Sequence, residues 1–153
     1  MIQFRNMIHN LPFPFKRNFF SFLCAIVFVL FSPSLFSQNV IATATLDTNE
    51  ILIGQQTKLT LRVDYKTDQG EIKIDFPKID DTLIKEIEIV SKSKTERIIP
   101  DSSDMSRMAL LQTFTITSFD SGYYAVPPFK FIINGDSSKA IETEALLLSV
   151  NTV

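Results

Sequence analysis

The segment Lys58–Tyr65 alternates without a break: Leu59, Leu61, Val63 and Tyr65 fall on one parity, and Lys58, Thr60, Arg62 and Asp64 on the other. Successive side chains of a strand point to opposite faces, so this spacing predicts an extended segment with one dry and one wet face. The pattern returns at Glu71–Phe76 and Lys85–Ile89, more weakly at Phe129–Ile133, and in Leu146, Leu148 and Val150. A helix would group apolar residues three and four apart, and no window after Ser37 sustains that spacing over three turns. Turn-forming clusters separate the runs: Asp47–Glu50, Gly54-Gln55, Asp68–Gly70, Pro77–Asp81, Pro100–Asp104, Asp120–Gly122 and Asn134–Asp136. Strands are predicted at 39–47, 56–66, 71–76, 85–98, 108–119, 123–133 and 140–151. About seven short strands punctuated in this way predict an all-β fold, an immunoglobulin-like antiparallel β-sandwich over residues 38–153.

The first 37 residues are of another kind. Arg5, Lys16 and Arg17 are the only formal charges before Asp47, and an apolar run from Phe19 to Phe31 follows them. Pro33 and the small-residue boundary Ser34-Leu-Phe-Ser37 complete the pattern of a helical secretory signal peptide over 1–37, with cleavage expected after Ser37. The run is shorter than the roughly 20 residues that span a bilayer, which favours a cleaved signal over an uncleaved anchor. Cys24 lies within the run behind Phe22-Leu23, so it reads as an apolar filler and not as a lipidation site.

Removing that segment removes much of the available chemistry. It carries the single Cys and the single His of the chain. What remains has 12 basic and 17 acidic residues, a net charge of −5, with no basic footprint for nucleic acid. An exported domain without thiols cannot use disulfides, so apolar burial must hold it. Nucleophilic catalysis needs a base beside the nucleophile, and Ser91-Lys-Ser-Lys94 reads as a solvated strand edge. The acids at Asp75, Asp80 and Asp81 and at Asp101 and Asp104 lack a calcium-loop pattern and read as turn residues. No catalytic, cofactor or metal site is predicted.

One local motif is more specific. In Asp120-Ser-Gly-Tyr-Tyr124, Gly122 permits a tight turn, Asp120 can close it through its side chain, and Tyr124 can bond back to upstream backbone as a tyrosine corner. The pleat then sends Tyr123 outward, beside Pro127 and Pro128, which cannot donate to a ladder. These three residues are the candidate partner-binding site. Five of the 14 phenylalanines follow Ser37, and Phe76, Phe114, Phe119, Phe129 and Phe131 are expected in the core.

Leu46-Asp-Thr-Asn-Glu-Ile-Leu-Ile-Gly54, Leu59–Val63 and Phe114–Phe129 together resemble the immunoglobulin-like modules of the BatD-like oxygen-tolerance family. The resemblance implies a non-catalytic interaction or scaffolding module on the periplasmic face of the inner membrane of a Gram-negative bacterium. It implies von Willebrand A-type envelope proteins as partners, and stress tolerance or envelope assembly as the setting. Family members are longer, with further modules and a later transmembrane helix. This chain is therefore expected to be either a stand-alone module or the N-terminal piece of a longer product, and any membrane association to run through the N-terminal segment or a downstream helix. The rival reading is a secreted carbohydrate-binding or adhesin-type sandwich, which an exposed row of aromatics on one sheet face would favour. Polar outward faces would favour the interaction module.

Overall fold

The computed structural model describes residues 40–68 and 70–152. The signal peptide read over residues 1–37 lies outside them. Twelve strands and no helix occur among the described residues. They are β1 (Val40–Leu46), β2 (Glu50–Leu52), β3 (Gln56–Lys66), β4 (Ile74–Asp75), β5 (Thr82–Ile84), β6 (Ile87–Lys92), β7 (Glu96–Ile98), β8 (Arg107–Thr117), β9 (Gly122–Val126), β10 (Lys130–Ile133), β11 (Asp136–Glu142) and β12 (Leu146–Asn151).

One layer has the order β1-β3-β8-β6-β5, with β7 continuing along β8 where β6 ends. Its spine is the antiparallel pair β3–β8, eleven residues on each strand, running from Gln56 opposite Thr117 to Lys66 opposite Arg107. The alternation in β3 sets that register. Thr57, Leu59, Leu61, Val63 and Tyr65 are buried, while Lys58 is exposed and Thr60, Arg62 and Asp64 are half-exposed on the other face. Arg62 closes a fork on Asp64, Nε to Oδ2 at 2.7 Å and Nη2 to Oδ1 at 2.6 Å, because residues two apart on a strand share a face.

The opposing layer consists of two three-stranded pieces, β2-β12-β9 and β11-β10-β4. Within them β9–β10 and β11–β12 are the two arms of one long hairpin, with β2 and β4 added at either edge. Val126 faces Leu146 on one side of a break and Lys130 faces Glu142 on the other, so both strands spend the same number of residues crossing it and the register is kept. The break falls at Pro127-Pro128, which have no N–H to give. The burial phase resets there: even-numbered Tyr124 and Val126 turn inward before it, odd-numbered Phe129, Phe131 and Ile133 after it. Thr143 locks the joint. Its N–H donates to the Phe129 carbonyl at 3.0 Å, and its Oγ1 accepts the Phe129 N–H at 3.0 Å.

Merging interrupted strands gives seven columns, β1/β2, β3, β4, β6/β7, β8, β9/β10 and β11/β12, with β5 as an added edge. This is the immunoglobulin-like sandwich. One pair, β2 with β12, is parallel, because the chain switches layers after β1 and runs alongside the last strand in the same direction. The core lies between the layers. Leu59, Leu61, Val63, Ile87, Phe114 and Ile116 meet Ile51, Val126, Phe129, Phe131, Leu148 and Val150. Phe76 and Phe131 meet edge to face, 4.9 Å between ring centroids.

Several boundaries differ from expectation. The predicted strand 71–76 pairs only over Ile74–Asp75. The predicted strand 85–98 is interrupted after Lys92, where the Ser93 hydroxyl accepts the Thr113 N–H in place of a strand partner. The predicted strand 140–151 begins at Asp136, because the positive-φ residues Asn134 and Gly135 make the hairpin turn immediately upstream. Phe119 is not in the core. Phe114, Ile116 and Ser118 share the inward parity, which leaves Phe119 outward, 62% exposed, with its ring over Gly54.

The joint yields a test. Thr143→Val leaves the buried Phe129 N–H without an acceptor, and we expect a loss of about 1–3 kcal/mol in unfolding free energy by urea titration, the cost of an unsatisfied buried donor. Thr143→Ser, which keeps the acceptor, should lose much less.

Candidate functional site

Strand β9 carries the residues singled out in the sequence. The turn before it is built by Ser118, not by Asp120: the buried Ser118 hydroxyl donates to the Asp120 carbonyl at 3.1 Å and accepts the Asp120 N–H at 3.3 Å. The expectation that the Asp120 carboxylate closes the turn is replaced by this arrangement. A serine on the inward parity of β8 reaches the turn first, and Asp120 is left solvent-exposed.

Tyr124 points inward and its Oη donates to the Ser121 carbonyl at 3.2 Å, three residues upstream. Burial, then the carboxylates of Asp120 and Glu86, push its phenol above the ordinary value, partly offset by the Ser118 hydroxyl. Each of the first three effects keeps the proton on the donor. Gly122 is favoured both by space and by backbone conformation. A Cβ there would lie 3.2 Å from both Cζ and Oη of Tyr124, and its φ of +157° is one side chains rarely adopt.

Tyr123 points outward and is 78% exposed. On that face Tyr123 stands opposite Ser149, and Ala125 opposite Leu147, which is 56% exposed. Tyr123 and Leu147 are therefore diagonal cross-strand neighbours, within reach for an aromatic ring. Beyond Ser149 the next residue across is Glu50 of β2, and Asn151 faces Leu52. Pro127 and Pro128 are exposed. Four residues of extended chain separate Tyr123 from Pro127, about 13 Å at strand rise, so the trio forms a row along one strand and not a single pocket. The sequence reading missed Leu147, although the parity of Leu146, Leu148 and Val150 already turns it outward.

The other groups considered for chemistry are engaged locally. Ser93 Oγ donates to the Lys94 carbonyl and Lys92 Nζ to the Ile79 carbonyl. Lys73 sits 3.1 Å from Asp75. Asp101, Asp104 and Asp136 each accept a hydroxyl and a backbone N–H from the serine two residues on, Ser103, Ser106 and Ser138. These bonds hold all three carboxyls below the ordinary aspartate value, with the serine hydroxyl the largest cause in each. Among the described residues no three acid, histidine or cysteine side chains converge as metal ligands. A cleft of about 470 Å³ between β4 and β7 is lined by Glu71, Ile72, Lys73, Ile74, Arg97 and Asn134. It sets one acid beside two cations, without a hydroxyl, thiol or imidazole.

No protein-family model matches the chain, and no curated protein matches it in sequence.

Two expectations follow. Tyr124→Phe removes the bond to Ser121 and should lower the denaturant midpoint of unfolding; an unchanged midpoint would show that the corner contributes no stability. Stability should also depend on acid. Asp101, Asp104 and Asp136 bind protons less readily folded than unfolded, so their contribution is complete above the ordinary aspartate range and fades as pH falls through the lower folded values. Replacing all three by Asn should flatten the melting-temperature profile below about pH 4 and leave its shape above pH 6 unchanged.

Proposed function

We propose that the chain is a non-catalytic interaction module of the bacterial cell envelope, exported by its N-terminal segment and working from the periplasmic side of the inner membrane. The reading is supported first by Tyr123, a large aromatic held almost fully in solvent by a strand whose neighbouring residue anchors the corner. Aromatics so placed, with an apolar neighbour such as Leu147, serve as anchors for protein partners. The segments that resemble the BatD-like family form the layer switch β1/β2 and the corner with its Pro-Pro joint. That resemblance puts von Willebrand A-type envelope proteins forward as partners and tolerance of oxygen or other stress as the setting.

The outer faces separate this reading from a carbohydrate-binding one. The wet face of β3 presents Lys58, Thr60, Arg62 and Asp64, and its neighbour β8 sets Thr115 across from Lys58 and Thr113 across from Thr60, with the aliphatic Leu111 and Ala109 across from Arg62 and Asp64. On the outward faces of β9, β12 and β2 the one aromatic is Tyr123, and the other exposed ring, Phe119, lies off these strands over Gly54, so no row forms along a strand. Sugar-binding faces stack rings in series, so the polar face and the lone tyrosine favour the interaction module.

The test is affinity capture from native envelope with the wild-type chain and with Tyr123→Ala, beside a denaturant titration of each. The variant should keep its unfolding midpoint, since the side chain is exposed, and should lose roughly 30-fold in partner retention, the 2 kcal/mol of an anchoring residue. Retention independent of Tyr123, or recovery of the processed chain from the cytosol, would overturn the proposal.

A further inference from the structure

Strand β9 is at the edge of its sheet, paired with β12 on one side only. Which of its amides face the open side follows from β12. The Ser149 N–H donates to the Asn49 carbonyl at 2.8 Å and the Asn151 carbonyl accepts from Ile53 at 3.0 Å, so the main chain of residues 149 and 151 is turned toward β2. Main-chain polar groups alternate sides along a strand, so Ser149 and Tyr123 face each other as a pair that exchanges no hydrogen bonds. The N–H and C=O of Tyr123 and of Ala125 therefore point out of the sheet, and no strand among the described residues receives them. The next residue of that parity is Pro127, which has no N–H, so the open edge ends there.

The charge carried by this sheet's own strands and turns has one sign. The stretches 47–55, 118–129 and 143–151 form β2, β9, β12 and their turns. They contain Asp47, Glu50, Asp120 and Glu144 and no Lys or Arg. Glu86, from the opposite layer, also acts on the Tyr124 phenol beside Asp120.

We infer that the open edge of β9 receives an extended segment of another polypeptide, which pairs through its main chain with Tyr123 and Ala125, lies beside the Tyr123 ring, and carries Lys or Arg at its outward positions. Strand addition of this kind takes affinity from backbone bonds and selectivity from alternate side chains. A second copy of this chain is the poorer occupant, since pairing two such edges sets two sheets beside each other whose own segments carry only acids. The inference rests on the reading of the chain as an interaction module and names the chemistry of the partner at the same site.

The test uses the isotope-labelled full chain with two capped peptides, Lys-Thr-Val-Thr-Lys and Glu-Thr-Val-Thr-Glu. In the free protein the Tyr123 and Ala125 amides should exchange with solvent quickly. The lysine peptide at millimolar concentration should slow both by at least about tenfold, the glutamate peptide should not, and roughly 0.5 M salt should weaken the effect. Ala125→Pro removes an edge donor without removing a bond to β12, so it should keep the unfolding midpoint and abolish protection of Tyr123 by the peptide. No protection by either peptide, equal protection by both, or protection that grows with protein concentration alone overturns the inference; the last assigns the edge to a second copy. Should Ala125→Pro not fold, the wild-type exchange decides. If envelope capture is lost in Tyr123→Ala but kept in Ala125→Pro, edge pairing fails while the interaction module stands. If the lysine peptide pairs but capture ignores Tyr123, the module reading fails while the edge chemistry stands.

Discussion

The arrangement of the second layer depends on a bend that two prolines impose on a hairpin. A long two-stranded ribbon twists, and a ribbon as long as β9–β10 with β11–β12 cannot keep one face on a single flat layer. At Pro127-Pro128 the ladder gives up its bonds, the inward parity changes from even to odd, and Thr143 restores both hydrogen-bonding groups of Phe129 with its own main chain and hydroxyl. On one side of the bend Val126, Leu148 and Val150 cover the β3–β8 spine; on the other Phe129 and Phe131 do. The same bend decides which strand is left open. β4 pairs with β10 beyond the prolines, and β9 before them has a neighbour on one side only.

The sandwich is held without covalent help. Its described residues contain neither cysteine nor histidine. Burial of the two inward faces supplies the driving force, and side-chain oxygens finish the turns. Among the described residues, no buried side-chain polar atom lacks a partner. The recurring device is a hydroxyl placed where a ladder stops: Thr57 with Thr48, Thr117 with the Gln55 carbonyl, Ser118 with Asp120 and Thr143 with Phe129. Each satisfies a main-chain group that the adjoining strand abandons, which is what a fold of short, interrupted strands requires.

Legibility in the sequence followed the range of the forces involved. β3 was readable to its ends, because Thr57–Tyr65 alternate and the alternation is the burial. The inward Tyr124 and outward Tyr123 were readable for the same reason. What could not be read from parity depended on partners far along the chain. β2 is three residues long and exists because β12 offers it a parallel neighbour. β5 exists because β6 does. Phe119 was misplaced by hydrophobicity when its parity relative to Phe114 and Ile116 already turned it out. The same parity turns Ser118 inward, but that its hydroxyl and not the Asp120 carboxylate closes the turn depends on the turn geometry, which parity does not carry.

The open edge of β9 bears on why Tyr123 sits where it does. An exposed strand edge is a hazard, because any extended chain can pair with it, and proteins usually blunt such edges with charge, proline or brevity. Here all three are present, but unevenly. Pro127 ends the edge, the strand is five residues long, and the charge on the sheet's own strands and turns is acidic. A mixture of charges would repel every visitor weakly, whereas a single sign repels acidic chains and admits basic ones. Tyr123 then adds a reason to stay. Its ring belongs to one of the two residues whose main-chain groups are free, so a strand that pairs with Tyr123 and Ala125 must pass beside it. Protection against indiscriminate pairing and selection of one kind of partner are thus produced by the same few residues.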